Sequence, residues 1–363
     1  MSVFAKIKNF YLTHEDHLSA SSLVAGFLFD IYILNRIDRP EENLWIISHL
    51  VVAVLGIFIL NFYENQERRR GEIANPYYWL TMMVQFAFGG LLSTFLVFYF
   101  RSAAISASWP FLLVLVIAFA CNEMLKQHYS RLTFQISYFF LCTFLFSIYY
   151  VPILFGEFGP NTFLYSGFLS LGVTAIFLFS LFQLTMEKFK KSARAIFASV
   201  LGIYFGLNVL YFTNIIPPIP LSLKDAGVFH SVSKNKDGNY DVKYERRYFI
   251  NYLKLYDSFS YVSGEPVYIY SAVFSPTNLN VNIVHEWQYF DEAKKEWIKV
   301  NTIRLDLRGG RDGGFRTYSL ASNIFDGYWR VNVKTTTGQM LGRIRFIAKE
   351  VKNPPLLYSG VKI

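Results

Sequence analysis

Three groups of residues have the types and spacing that could do chemistry. The first is the run Gly309-Gly310-Arg311-Asp312-Gly313-Gly314, flanked by Arg308 and Arg316. Glycines let successive backbone N–H groups converge on an anion, and Arg308, Arg311 and Arg316 could add charge-assisted hydrogen bonds. No GK[ST] follows, so the run is not a P-loop. The competing reading is a tight strand connection that needs positive φ, with Arg311 and Asp312 as a local ion pair. The second group is His285 and Trp287, two apart and therefore on one face of a strand. An exposed aromatic beside an arginine would suit a sugar or glycan; the alternative is that Trp287 and Trp329 are core residues. The third group is Asp30, His49 and Asn208, polar residues inside apolar runs. They lie at similar depth, and such residues either mark a pathway or hydrogen-bond helix to helix.

Other chemistry lacks its signature. There is no GxSxG, SxxK or HExxH, so no catalytic residue is nominated. His285 alone is no metal site, and no cofactor is expected. Cys121 and Cys142 both sit in apolar runs at different depths, which argues against a bridge. No nucleic-acid motif is present.

The elements that must position these groups follow from composition. The chain has 363 residues, 53% hydrophobic, 19% aromatic and only 17% charged, with a net charge of +9. A soluble enzyme carries nearer a quarter charged residues. Up to Asn214 there are 14 Lys and Arg against 12 Asp and Glu; from Ile215 onward there are 21 against 14. The dividing stretch, Tyr211 to Asp225, holds prolines at 217, 218 and 220 that stop any helix. It is read as an extended connector over 215–225 between a membrane domain (1–214) and a β-domain (215–363).

Seven apolar segments are each long enough to span a bilayer, at about 19–37, 44–63, 78–100, 103–121, 132–154, 161–184 and 194–213. Residues 1–17 have the spacing of a short helix lying on the membrane, or of a partly ordered terminus. No cleavable signal peptide is expected. Counting loop charges, one side of the membrane receives 11 Lys and Arg and the other 3. The richer side, with the N-terminus, is then cytoplasmic. Seven crossings put the β-domain outside, which in a Gram-negative bacterium is the periplasm. Glu123, Gln85, Gln135 and Gln183 fall towards the cytoplasmic side.

Strands are expected at 267–274, 281–290, 297–307, 315–320, 328–334 and 339–347. Trp329, Val331 and Val333 share one face of theirs, and Arg330, Asn332 and Lys334 share the other. With Ile344 and Phe346 the first set should form a core. Short strands at this spacing suggest a β-sandwich of immunoglobulin-like type. The segment 248–256 could be a strand or a surface helix.

From Pro266 to Phe346 the chain resembles a bacterial family known as domain of unknown function 2914. The likeness rests on VFSPTNL (273–279), HEWQYFD (285–291), GGRDGGFRTYS (309–319) and GYWRVNVKTTTGQMLGRIRF (327–346). IIPPIPLSLKDAG after the last apolar segment is also similar to members with a multi-helix membrane half. The resemblance implies a membrane-tethered bacterial β-domain and no particular chemistry. The expected function is non-enzymatic: an inner-membrane protein whose periplasmic sandwich binds an envelope protein or anionic ligand, with the helices in the lipid bilayer as anchor or relay. The alternative is a transporter or lipid-modifying enzyme using a polar site around Asp30. Oligomeric state does not follow.

Overall fold

Proline at a first helical position and acids in a first turn start helices cleanly, and Pro40-Glu41-Glu42 supplies both. The computed structural model describes residues 15–70, 78–125, 128–129, 131–245, 255–276, 279, 281–308 and 313–362. Among them are six helices: α1 (Glu15–Ile33), α2 (Pro40–Arg70), α3 (Tyr78–Ser102), α4 (Ile105–Met124), α5 (Leu132–Phe155) and α6 (Pro160–Phe212). Five are long and apolar enough to cross a membrane; α1 contributes the shorter apolar stretch Val24–Ile33. The surface helix considered for residues 1–17 falls mostly outside the described residues.

Two compact units divide the chain. The first runs to Arg101 and includes Pro110–Phe155 and Pro160–Thr213; the second comprises Ser102–Trp109, Gly156–Gly159 and Asn214 onward. The helical unit is apolar on the outside. Phe86 is 71% exposed, Ile176 72% and Phe179 83%. Its interior is partly polar: Ser166 donates to the Ser147 carbonyl at 2.9 Å, and Ser170 to Ser147 Oγ at 3.1 Å. Small hydroxyl residues between helices and large apolar ones outside are the arrangement for lipid, not water.

The α1–α2 corner is held by charge. Glu42 accepts from the backbone N–H groups of Asn35 and Arg36, each at 2.9 Å. Arg101 donates to the carbonyls of Leu34 and Ile31, where α1 leaves carbonyls without helical partners.

No helix break occurs between 184 and 194, contrary to expectation. Glu187, Lys188, Lys190, Lys191 and Arg194 are charged but good helix formers, and α6 is helical throughout its 53 residues. Straight, it would extend about 80 Å. Yet Phe163 and Tyr211, near its opposite ends, stack with ring centroids 3.8 Å apart. Phe189 and Phe197 lie 6.4 Å apart across the middle. The helix must therefore double back. On α5, Phe139 meets Phe177 and Phe144 meets Phe163, so the first arm runs antiparallel to α5. Ser137 pairs with Ser199 and Phe144 with Tyr204, so the second arm runs parallel to it.

The second unit is β-rich: β1 (Ser222–Phe229), β2 (Ser231–Lys234), β3 (Tyr240–Glu245), β4 (Asp257–Tyr261), β5 (Val267–Phe274), β6 (Val281–Asp291), β7 (Glu296–Leu307), β8 (Phe315–Ala321), β9 (Gly327–Thr335), β10 (Met340–Glu350) and β11 (Leu357–Lys362). They form three sheets, β1-β5-β8, β4-β10-β9-β6-β7 and β11-β3-β2, where a two-sheet sandwich was expected. The five-stranded sheet and β1-β5-β8 share the main core, which includes Ile269, Val273, Trp287, Trp329, Val331, Val333, Ile344 and Phe346. A smaller core of Phe229, Val232, Val242, Tyr270 and Ala272 brings the third sheet against the other face of β5. That explains why β5 reads as an unbroken apolar run: it is covered on both faces.

The connector expected at 215–225 is no free linker. Ile216, Ile219 and Leu221 are buried, Leu221 within the main core. Two turn bonds, Ile219 N–H to the Pro217 carbonyl at 2.8 Å and Leu221 N–H to Pro218 at 2.9 Å, fold the prolines into a compact corner. β1 begins at Ser222 and pairs antiparallel with β5. Of the segment 248–256, only residues 255 and 256 are described.

Candidate functional site

Helices α1 to α4 line a half-open cavity of about 460 Å³. Asp30 and Phe27 line it from α1, Trp45 and His49 from α2, Gln85, Phe86, Gly90 and Ser93 from α3, and Phe119, Asn122 and Glu123 from α4. Two of the three intramembrane residues nominated from sequence thus meet in one space. Asn208 does not: it donates to the Tyr204 carbonyl at 2.8 Å on its own helix and is not among the lining residues.

Each polar group in the cavity is oriented. Ser93 Oγ donates to the Asp30 carboxylate. His49 Nδ1 pairs with the Trp45 carbonyl at 2.9 Å, which turns the other edge of the ring towards α3. There Gly90 makes room: a Cβ at this position would stand 2.8 Å from His49 Nε2. A helical glycine is unfavourable by about 1 kcal/mol relative to alanine, so the Gly89-Gly90 pair was a legible sign of close approach. At the other end Gln85 Nε2 donates to Glu123 at 2.8 Å. Ser93 and Gln85 are eight residues apart on α3, so the two carboxylates sit about 12 Å apart in depth. The walls between are aromatic and aliphatic. The space is elongated and mostly apolar, with a carboxylate acceptor of the protein near each end.

From this end a hydrogen-bond chain crosses the bundle. Tyr129 donates to Asn122 Oδ1, Gln135 Nε2 to the Tyr129 carbonyl at 2.6 Å, and Asn61 Nδ2 to Gln135 Oε1 at 2.9 Å. Lys188 donates to Asn61 at 3.1 Å and is ion-paired with Glu64.

In the β-rich unit two of the nominated ligand residues are core residues. His285 and Trp287 are fully buried. His285 Nε2 pairs with Ser271 Oγ at 2.9 Å and Nδ1 with Ser319 Oγ at 2.8 Å, while Trp287 Nε1 donates to the same Ser319 oxygen at 3.1 Å. Burial pushes the imidazole down to about 3, so it is neutral. Of the two readings of these residues, the structure has the core one: neither side chain is exposed as a glycan platform would need. The signal was available: His285 shares its strand face with Ile283, Trp287 and Tyr289, an apolar face.

Residues 280–347 match the family described as protein of unknown function (DUF2914). The matched stretch lies within the β-rich unit and runs from the start of β6 into β10. No curated protein matches the chain. Among solved structures it is similar, at 8% identity, to the Pseudomonas fluorescens alkylpurine DNA glycosylase AlkC bound to DNA containing an abasic site analog. That match covers 85% of this chain and 98% of the other with a TM-score of 0.21, a likeness that bears on neither fold nor function.

At the glycine-rich loop within the matched stretch, the two described arginines, Arg308 and Arg316, do not form the anion site that was one of the two readings. Arg316 is buried in the opposite direction, donating to Asn239 Oδ1 at 2.9 Å and the Lys362 carbonyl at 2.7 Å. It latches β8 to the third sheet. Arg308 is exposed at the end of β7, and Arg311 lies outside the described residues. Gly314 answers to backbone geometry: its φ is +84°, and a Cβ would meet the Val273 backbone at 2.9 Å. Among the described residues no group of three or more metal-ligating side chains comes together.

Proposed function

We propose that the chain is a seven-crossing protein of the bacterial inner membrane, with its N-terminus in the cytoplasm and its DUF2914 domain in the periplasm. The doubling of α6 supports an odd number of crossings, since its two arms run in opposite directions. Lys188, Lys190, Lys191 and Arg194 then fall at a cytoplasmic bend, in keeping with the charge count of 11 against 3. The function we propose is binding, not turnover: the helical unit holds an amphipathic small molecule in the α1–α4 cavity, and the outer domain engages an envelope partner. In this reading the five-stranded sheet and β1-β5-β8 form an immunoglobulin-like pair to which the third sheet is added. One observation carries the proposal, the meeting of Asp30, His49 and Glu123 on one mostly apolar cavity.

The cavity also favours a second reading, transport of such a molecule or chemistry upon it, because carboxylates stand at two depths along it. Native mass spectrometry of the protein released from a mild detergent tests the common premise. A co-purifying amphipath is expected, lost in Asp30→Asn and in Gly90→Leu, which fills the space beside His49, and retained in Asn208→Ala. Wild-type protein with an empty cavity, or equal retention in all variants, would overturn both readings.

A further inference from the structure

Alternation places Arg330, Asn332 and Lys334 of β9, and Arg343 and Arg345 of β10, on the outer face of the five-stranded sheet, opposite the core set Trp329, Val331, Val333, Ile344 and Phe346. Register brings the cations together. Arg345 lies directly across from Arg330, and Arg343 across from Asn332. Like charges directly opposite in a sheet are destabilising. Among the described residues no carboxylate is ion-paired with any of the three arginines. Glu286, the acid within this face, already accepts from Lys334 at 2.7 Å, Asn332 at 3.0 Å and Gln288 at 2.8 Å.

Two of the three arginines are also held in place. Arg330 Nε donates to Gln288 Oε1 at 2.6 Å, and its guanidinium lies 4.1 Å over the Trp297 ring. Arg343 Nε donates to Asn332 Oδ1 at 2.6 Å. Using Nε for orientation leaves the two terminal nitrogens of each fork for a ligand. Fixed, clustered forks suit a group that offers several anionic oxygens. Burial and the neighbouring Arg343 and Arg345 push Arg330 down to about 10, so the face stands to gain from a negative guest.

We propose that this face binds a phosphate-bearing ligand, its oxygens seated between the guanidinium groups of Arg330 and Arg345 with Arg343 alongside. It is a site separate from the helical cavity, and either can fail without the other. The phosphate could be carried by a soluble molecule or by a lipid headgroup.

The test uses the full-length protein in nanodiscs of phosphatidylcholine, titrated with inorganic pyrophosphate by isothermal calorimetry. Saturable binding is expected that weakens with added sodium chloride. Arg345→Gln and Arg343→Gln should each weaken it on the order of tenfold, while Lys236→Gln, in the β2–β3 turn, should not. Circular dichroism checks that each variant is folded, and Arg345→Lys, which keeps charge but not the fork, should restore only part of the affinity. A second arm replaces part of the lipid with phosphatidic acid. Weaker apparent pyrophosphate affinity there assigns the site to lipid headgroups, and unchanged affinity assigns it to soluble phosphates. Absence of saturable binding, or equal binding by wild type and both glutamine variants, overturns the proposal.

Discussion

His285 links one buried side chain to the pH response of its whole domain. Its imidazole is held near 3 inside the core against 6.5 in the open chain. Between those values the unfolded chain takes up a proton that the folded chain refuses, so stability falls as the medium is acidified, by up to about 1.4 kcal/mol per pH unit. Glu286 and Glu245 also lose stabilisation on acidification. Burial pushes both carboxyls up, but hydrogen bonds from Lys334 and Asn332 to Glu286, and from His230 and Ser260 to Glu245, outweigh it and hold both below the usual range. Their effect begins only as the ordinary carboxylate range near 4.5 is approached. Pulse proteolysis in urea between pH 6.5 and 5 should therefore show a slope that His285→Gln abolishes; an unchanged slope would mean another group titrates. Trp329→Ala, which empties a site 1% exposed, should lower domain stability by about 3–5 kcal/mol in the same assay. The Trp329 stripe was legible in the sequence because neighbours on both sides alternate with charges. The partner of Asp30 was not: Ser93 lies 63 residues away on another helix. Depth alone also could not exclude Asn208, because depth says nothing about the direction a helix turns its side chain.

At the scale of elements, close approaches decide which changes hurt. Gly314→Ala meets both a left-handed backbone and the Val273 main chain. It should be destabilising by more than the roughly 1–2 kcal/mol of the backbone conformation alone, measured by the urea midpoint. For α6, cysteines replacing Phe163 and Tyr211 in a chain whose Cys121 and Cys142 are serine should form a disulfide under mild oxidation. A reduced pair would contradict the doubling back. Boundaries such as those of α5, read as 132–154 and observed as Leu132–Phe155, and of β5 were readable from apolar run length and flanking polar residues. The α6 corner was misread as a loop because charge was taken for a break, although lysine, glutamate and arginine extend helices well. β1 and β11 were missed for a different reason: SLKDAGVF and LYSGVK carry charges and glycine that outweigh their strand signal until partners in β5 and β3 supply it.

For the whole molecule, the testable property is sidedness. A single cysteine at position 236 should react with a membrane-impermeant maleimide in spheroplasts, whereas one at 190 should react only after lysis. The reverse pattern would invert the assignment. The β-rich unit also imposes an order on its own making. β11 pairs residue 357 with residue 245, and the carbonyl and ammonium of Lys362 receive Arg316 and hold Asp225. None of these contacts can exist until residues 357–362 have been synthesised. A ribosome that stalls before them leaves Arg316 without the Lys362 carbonyl and the β3 edge unpaired. A truncation ending before residue 357 would therefore remove the edge strand of the third sheet and the anchor of Arg316 in one step.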